Sequence, residues 1–227
     1  MQGAAVLIAA LQGIVMRRVI LLRRCGYRAA AGRLYRLCAL TLAALTLGAM
    51  LAQEIILWRA GLLTWRTGLP LHLCSAAGLL LPVMLLTGSR AAWHVTLFLG
   101  LPGGVLATVF PSILTTPYPY LTRLSFHVLH GCLAAAPLLP LCMGLRPSPL
   151  GALQAGAFLT VLAMIAAAVN HLTGSNYLFL NLPAPGTPLA LLARGGVNAY
   201  RLHLAGIAAA VLAAEGIAVA VLTRRNG

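Results

Sequence analysis

Long apolar stretches separated by short polar segments run along nearly the whole chain. Since about 20 apolar residues cross the hydrocarbon core of a bilayer as a helix, six of these stretches are predicted spans. They cover approximately residues 37–57, 70–87, 93–110, 121–143, 150–170 and 199–222. An earlier stretch, AAVLIAALQGIVM followed by RRVILLRR, has a shorter apolar part, but its arginines can snorkel to the interface. The pattern therefore predicts an all-α, polytopic transmembrane helix bundle of seven helices, or of six if residues 1–22 lie along the membrane surface.

The composition excludes an ordinary soluble domain. Of the 227 residues, 61% are hydrophobic and 8% are charged, whereas roughly a quarter of the residues in a soluble domain are charged. No internal repeat or low-complexity linker divides the chain, so we expect residues 1–227 to form a single integral membrane domain. The first apolar stretch lacks the positive n-region and cleavage site of a secretory signal. Five cysteines without a CxxC pair or zinc spacing predict small buried hydrophobes rather than a disulfide framework.

The charge is strongly positive, because sixteen arginines face only two acids, Glu54 and Glu215, and the formal net charge is +14. A basic excess can indicate nucleic-acid binding, but no soluble domain carries it here, and we expect no nucleic-acid partner. The arginines are better explained as helix-end charges that set topology and attract anionic lipid. With residues 17–36 in the cytoplasm, eleven arginines lie on that side and five on the other. We therefore expect a multi-pass protein of the inner (plasma) membrane whose C-terminus is cytoplasmic and whose 171–198 loop faces outward.

Most polar side chains within or beside the predicted spans lie toward the outer end of the bundle. They are Glu54, His72, Cys74, His127, His130, His171, Asn176 and Tyr177. An acid or a histidine inside a membrane is costly and marks a candidate functional site, and His94 is the exception at the inner end. Simpler alternatives stay open, since Glu54 could pair with Arg59 and a helical histidine often only hydrogen-bonds to a neighbour.

Among these residues, Cys74 is the candidate nucleophile. Pro70 suits the first position of a helix, which places Cys74 just past the first turn, where the helix dipole favours a thiolate. His72 is a poor base for it because residues i and i+2 of a helix face different directions. A base would come from another helix, and FHVLHG at 126–131 supplies two histidines at i,i+3 spacing. Simple packing of Cys74 remains the alternative.

The stretch GLPGGVLATVFP, residues 100–111, places glycines and a proline inside a predicted span. Gly103 and Gly104 beside Pro102 either let a neighbouring helix pack closely or interrupt the helical hydrogen bonds. An interruption would free a backbone N–H as a donor to an oxyanion. Close packing is the simpler interpretation, and the sequence leaves both open.

The connection HLTGSNYLFLNLPAPGTPLALLARGGVN, residues 171–198, is the only loop with room for function. Its asparagines, tyrosine and prolines favour an ordered cap over a floppy linker. A plain surface connection is the alternative.

Four motifs occur in a fixed order along the chain: LPLHLCS (69–75), GLPGGVLATVFP (100–111), FHVLHG (126–131) and NYLFL (176–180). Together they resemble the YwaF family of bacterial integral membrane proteins over about residues 40–182. That family is related to the eukaryotic transmembrane protein 164, an acyltransferase that acts on lysophospholipids with a Cys–His pair. The resemblance implies a membrane protein that moves fatty acyl groups between phospholipids and lysophospholipids.

Carried residue by residue, the resemblance implies that Cys74 is the nucleophile and that His130, directly before Gly131, is the general base and acid. Other residues of these motifs, together with one glutamate, would orient the Cys74–His130 pair or tune its reactivity. His127 ranks after His130 as the candidate base. These supporting residues are Glu54, His72, His127, Asn176 and Tyr177. No cofactor and no metal are implied, and the partners would be membrane phospholipids and lysophospholipids.

Two other function classes fit parts of the pattern. The histidines and the cysteine of LPLHLCS and FHVLHG could form a metal or haem site, since imidazole and thiolate are good ligands. Glu54 could instead be the carboxylate of a small-solute or ion transporter. No inverted repeat is visible, which is unfavourable for the transporter.

Overall fold

The protein is described by a computed structural model that covers residues 3–224. Every regular element among these residues is a helix, as the sequence predicted. The α-helices are α1 (Gly3–Arg24), α2 (Arg28–Arg59), α3 (Leu73–Thr87), α4 (Arg90–Val95), α5 (Leu101–Val109), α6 (Pro119–Ala135), α7 (Pro149–Thr173) and α8 (Val197–Arg224). The other helical turns lie beside or between the α-helices. They are a π-helical turn Thr96–Gly100 between α4 and α5, and 3-10 turns at Ala136–Met143, Tyr177–Phe179 and Pro188–Ala193.

Six helical stretches within the described residues are long and apolar enough to cross a membrane. They are α1, α2, Arg90–Val109, Pro119–Met143, α7 and Val197–Leu222. A further apolar helix, α3, has only 15 residues, which is ~22 Å and shorter than the ~30 Å hydrocarbon core. The polytopic α-helical bundle is thus confirmed. The first stretch, which the sequence left open, forms a helix long enough to span, although Met1 and Gln2 lie outside the described residues.

The two ends of the bundle differ in chemistry. At the end that we name the basic end, α1 finishes and α2 begins among arginines, and the Arg23 guanidinium donates to the carbonyl of Cys142 at 2.8 Å. The opposite end, which we name the site end, is where α3 begins and where Arg66 donates to the carbonyl of Thr173 at 2.6 Å. Residues 225–227, on which the expected side of the C-terminus partly depends, lie outside the described residues.

Helix α6 lies at the centre of the bundle and packs against α1, α2, α3 and α5. Glycines let these backbones approach, because no side chain holds them apart. A Cβ atom at Gly131 would lie 2.7 Å from the Cα atom of Ala5 in α1, and one at Gly78 of α3 would lie 3.3 Å from Leu129 of α6. The core around α6 therefore depends on glycines at its helix contacts.

Helix α2 begins at Arg28, earlier than the expected start near residue 37. The segment Arg28–Arg36 is too polar to count as part of an apolar span, but its alanines, leucine and arginines are good helix formers. The helix therefore continues beyond the apolar stretch at the basic end. Hydropathy marks where a chain can be buried in lipid, and it does not mark where a helix stops.

Candidate functional site

Cys74 is the second residue of α3, in the first turn of the helix rather than just past it. The helix begins three residues later than Pro70 because His72 has an extended backbone, with φ −76° and ψ 147°. No side chain caps this end, and the first helical hydrogen bond runs from the amide of Ala76 to the carbonyl of His72 at 2.9 Å. The three amides before Ala76, which include that of Cys74 itself, thus precede the helical hydrogen bonds and carry the positive end of the dipole.

Two consecutive glycines of α5 separate Cys74 from α6. A Cβ atom at Gly103 would lie 3.9 Å from the Sγ atom of Cys74, whereas one at Gly104 would lie 2.8 Å from the carbonyl oxygen of His130. It would also lie 2.7 Å from the amide nitrogen of Ala134, too close for any side chain. The close-packing interpretation of this stretch is therefore confirmed. The glycine pair brings α3 and α6 against adjacent sides of α5, with Cys74 and His130 at the two contacts.

His130 is buried, with 5% of its surface exposed. Its Nδ1 atom lies 2.8 Å from the carbonyl oxygen of Phe126, and the His130 and Phe126 rings are tilted by 35° with centroids 4.0 Å apart. A carbonyl can only accept, so Nδ1 carries the proton and Nε2 of the neutral ring carries the lone pair. No hydrogen bond joins His130 to the Cys74 thiol within the part of the chain that the structure describes. The Cys–His pair therefore stays a prediction.

His127 lies one turn before Gly131, on the side of α6 that faces α1. It is 4% exposed, and its ring meets that of Phe126 edge to face at 5.5 Å. Its Nδ1 atom is buried without a hydrogen-bond partner among residues 3–224. His127 is thus a neighbour of His130 directed toward a different helix.

A cap formed by the NYLFL segment covers the start of α3. The His72 ring lies between two aromatic rings of this segment, 5.2 Å from that of Tyr177 and 5.0 Å from that of Phe179. The Tyr177 hydroxyl accepts a hydrogen bond from the amide of Leu69 at 3.0 Å and donates one to the carbonyl of Trp65 at 3.0 Å. Burial raises the pKa of Tyr177, so the hydroxyl keeps the proton that it donates. Tyr177 therefore fixes the loop that leads into α3.

Asn170, in the last full turn of α7, holds the cap and was not predicted. Its side-chain oxygen accepts from the Tyr177 amide and from the Ser175 hydroxyl, both at 2.7 Å, and its side-chain nitrogen donates to the Tyr177 carbonyl at 3.0 Å. The sequence signal was an amide inside an otherwise apolar helix, beside His171, which drew attention instead. His171 is exposed.

Asn176 organises the other side of the cap. Its side-chain oxygen accepts from the amides of Asn181 at 2.9 Å and Leu182 at 3.1 Å, and its nitrogen donates to the Leu182 carbonyl at 2.9 Å. These bonds stay within the loop and shape the chain that follows Phe179. The ordered cap expected for residues 171–198 is present over this segment, and the role of Asn176 in it is structural.

Two residues of the cap have a strained backbone. Leu178 and Phe179 have φ angles of 54° and 53°, in the left-handed region that side chains other than glycine rarely adopt. Such strain costs about 1–3 kcal/mol per residue and tends to occur at functional sites. Here it turns Phe179 back onto His72.

Glu54 lies at the site end of α2 and is exposed. Its carboxylate makes a small contribution to the raised pKa of Tyr177, after burial, so it lies near the cap. The alternative pairing with Arg59 is absent from residues 3–224, and the Arg59 guanidinium lies instead over the Trp58 ring at 5.4 Å. Because the Glu54 side chain is exposed, it does not provide the enclosed carboxylate that the transporter hypothesis requires.

The described residues do not form the cluster of ligands that the metal hypothesis requires. Within the described residues, no three histidine, cysteine, aspartate or glutamate side chains come together in a way that could hold a metal ion. His72 is enclosed by two aromatic rings and His127 faces α1, so the candidate ligands point to different surroundings.

A model of the TMEM164 family matches residues 3–218 of the chain. No curated protein and no solved structure matches it. The family match extends beyond the motif resemblance, which covered about residues 40–182, and it includes α1 and most of α8. The relation to transmembrane protein 164 that the motifs indicated is thus confirmed, whereas the YwaF name is not tested by this match.

Proposed function

Because the chain belongs to the TMEM164 family, we propose that it is a membrane-embedded acyltransferase that moves fatty acyl groups between phospholipids and lysophospholipids. The proposal rests above all on one observation: the Cys74 thiol borders Gly103 and the backbone carbonyl of His130 packs against Gly104, the next residue of α5, although Cys74 and His130 are 56 residues apart in the chain. Both are polar groups inside an apolar bundle, where such groups mark functional sites.

In the first half-reaction the Cys74 sulfur attacks the carbonyl carbon of an acyl ester in a donor phospholipid. A C–S bond forms, the ester C–O bond breaks, and a lysophospholipid leaves. His130 takes the thiol proton at Nε2 and delivers it to the departing oxygen. The acyl group is then held as a thioester on Cys74.

In the second half-reaction the hydroxyl of an acceptor lysophospholipid attacks the thioester. His130 accepts the hydroxyl proton, the new ester C–O bond forms, the C–S bond breaks, and the proton returns to the sulfur. No oxidant, reductant or cofactor is consumed, since one ester is exchanged for another. Exclusion of water is needed at this stage, because water would release a free fatty acid, and the apolar surroundings of α3 favour that exclusion.

The start of α3 supplies a group that the sequence did not identify. Each tetrahedral intermediate carries a negative oxygen, and backbone amides that are fixed in place stabilise such a charge. The amides of Leu73, Cys74 and Ser75 precede the first helical hydrogen bond and are next to the nucleophile. They are better placed as oxyanion donors than those of Gly103 and Gly104, which lie inside a helix and are packed against neighbours.

The supporting residues act on the nucleophile through the cap. Tyr177 and Phe179 enclose His72, which is the residue immediately before α3, and they set the position at which the helix begins. The exposed Glu54 is near this cap and would contact the lipid headgroup rather than the reacting atoms.

An acyl-transfer assay in proteoliposomes tests the proposal. The purified protein is given a labelled lysophospholipid and an unlabelled donor phospholipid, and labelled diacyl product is measured. We expect Cys74→Ser and His130→Ala to reduce the rate at least 100-fold, because each removes a group that forms or activates the thioester. His127→Ala is expected to reduce it less.

Cys132→Ser is the matched control, since it makes the same change at a second free cysteine of the bundle, which is buried. It should keep nearly the wild-type rate. Wild-type transfer by correctly folded Cys74→Ser would show that Cys74 is only a packing residue, and the proposal would be wrong.

A further inference from the structure

A groove on the exposed side of α1 lies at the basic end, away from Cys74. An open surface depression of about 420 Å³ runs along this one helix, and its lining residues are Gly13, Met16, Arg17, Ile20, Leu21 and Arg24. A second depression of about 200 Å³ shares Leu21 with the first and adds Arg18 and Tyr27. We name these two neighbouring depressions together the α1 groove.

Arg17 and Arg24 lie on the same face of α1, because seven residues make almost two full turns, and they are ~10 Å apart along the axis. Both side chains are exposed, and neither has a hydrogen-bond or ion-pair partner among residues 3–224. Other arginines at this end are used by the protein, since Arg23 donates to Cys142 at 2.8 Å and Arg90 donates to the Arg146 carbonyl at 3.1 Å. The two positive charges of the groove thus lack an internal counter-ion.

The rest of the groove is apolar. Ile20 and Leu21 lie between the two arginines, Met16 lies beside Arg17 toward the membrane side, and Gly13 beyond it leaves open space that we name the notch, with no atom within 4 Å of a Cβ placed there. Gly13 is ~16 Å along the axis from Arg24, so the groove runs from the helix end into the hydrocarbon region. Arg17 is ~10 Å inside that end, where a charged side chain is costly without an anion.

We propose that the α1 groove binds one anionic phospholipid from the leaflet at the basic end. Its phosphate lies between Arg17 and Arg24, whose guanidinium groups match phosphate oxygens in pairs. Its acyl chain follows Ile20 and Met16 into the notch at Gly13. The site is independent of acyl transfer, because it lies at the other end of the bundle from Cys74.

Native mass spectrometry of the purified full-length protein with dioleoyl phosphatidylglycerol, and with dioleoyl phosphatidylcholine as the zwitterionic comparison, tests this site. The wild type should retain one phosphatidylglycerol and release phosphatidylcholine. Arg17→Gln with Arg24→Gln should weaken phosphatidylglycerol binding about 30-fold, as expected for two arginines near an anionic lipid. Gly13→Leu keeps both charges but fills the notch, and it should also weaken binding. Cys74→Ala should bind like the wild type.

The matched control is Arg33→Gln with Arg36→Gln, which removes the same charge from exposed positions of α2 outside the groove. It should retain the lipid. An equal loss in both double variants would overturn the proposal, since binding would then follow net charge alone. A groove variant that changes the number of subunits, with lipid retention unchanged, would also overturn it and identify the groove as a contact between two copies of the chain.

Discussion

At the scale of single residues, Gly103 and Gly104 have different structural roles, although they are adjacent and chemically identical. A Cβ atom at Gly104 would meet the backbone of α6 at 2.7 and 2.8 Å, whereas one at Gly103 would meet only side-chain atoms, at 3.8 and 3.9 Å. The first glycine therefore borders the space around the Cys74 sulfur, and the second holds two helices together.

We expect Gly104→Ala to destabilise the protein by about 1–3 kcal/mol, because the added methyl group would overlap backbone atoms that cannot move aside. Gly103→Ala should unfold at nearly the wild-type temperature, since its methyl group fits at ordinary contact distance. Thermal unfolding in detergent, followed by tryptophan fluorescence, measures both. Equal stability of the two variants would contradict the packing described for α5 and α6.

A second prediction at Gly103 concerns how easily a reagent reaches the Cys74 sulfur. Gly103→Val adds bulk beside the Cys74 sulfur, and we expect it to slow modification of Cys74 by a lipid-soluble maleimide at least fivefold. Val at Gly13, where no atom lies within 4 Å of an added Cβ, is the control and should leave the rate unchanged. Unchanged labelling of Gly103→Val would show that the sulfur is approached from another side.

At the scale of elements, the cap and the start of α3 form one unit. Tyr177 is hydrogen-bonded to the loop before α3, and Asn170 of α7 fixes Tyr177 at its backbone. Tyr177, 108 positions after Leu69 in the chain, thus holds the loop that leads into α3. This explains why the nucleophile can be positioned by a helix that no side chain caps.

Tyr177→Phe removes the hydroxyl that joins the cap to this loop. We expect a loss of about 1–3 kcal/mol in stability, because the Leu69 amide is left without its acceptor. We also expect acyl transfer to fall about tenfold or more, since the start of α3 is no longer held. Tyr120→Phe, at a side chain that is 66% exposed, is the control and should change neither. A Tyr177→Phe variant with wild-type stability and transfer would contradict the role of the cap.

The sequence predicted the helices long enough to span, because length and hydropathy decide what can cross a membrane, but the span expected over 70–87 is a helix of only 15 residues. It also drew attention to Cys74 and the two histidines, since polar groups are rare in such spans. It missed the start of α3 at Leu73, because His72 has an extended backbone in a segment whose Leu69 amide is bonded to the distant Tyr177 hydroxyl. Asn170 was missed for the same reason, as its three bonds are to a segment that follows it outside the helix.

At the scale of the whole molecule, the two ends of the bundle carry different groups of residues. The basic end carries unpaired arginines and the α1 groove, and the site end carries the cap and Cys74. A polar site at one end suits an enzyme that receives lipid from one leaflet. From the positive-inside rule we expect the basic end to face the cytoplasm and the cap to face outward.

This orientation predicts the labelling of two cysteines in intact cells by a membrane-impermeant maleimide. A cysteine introduced in the cap as Thr187→Cys should react, whereas the native and exposed Cys25, at the basic end, should be spared until the membrane is permeabilised. Peptide mapping by mass spectrometry identifies the labelled residue. The opposite pattern would place the proposed site on the cytoplasmic side.

The central claim is that an acyl group is carried on Cys74. Its most direct test is to incubate the protein with a donor phospholipid alone, quench it in acid, and analyse peptides by mass spectrometry. The account predicts an acyl adduct on the peptide that contains Cys74, removed by neutral hydroxylamine as thioesters are, and absent from Cys74→Ala. Transfer of the acyl group to a lysophospholipid while Cys74 stays unmodified, or undiminished transfer by Cys74→Ala, would contradict it.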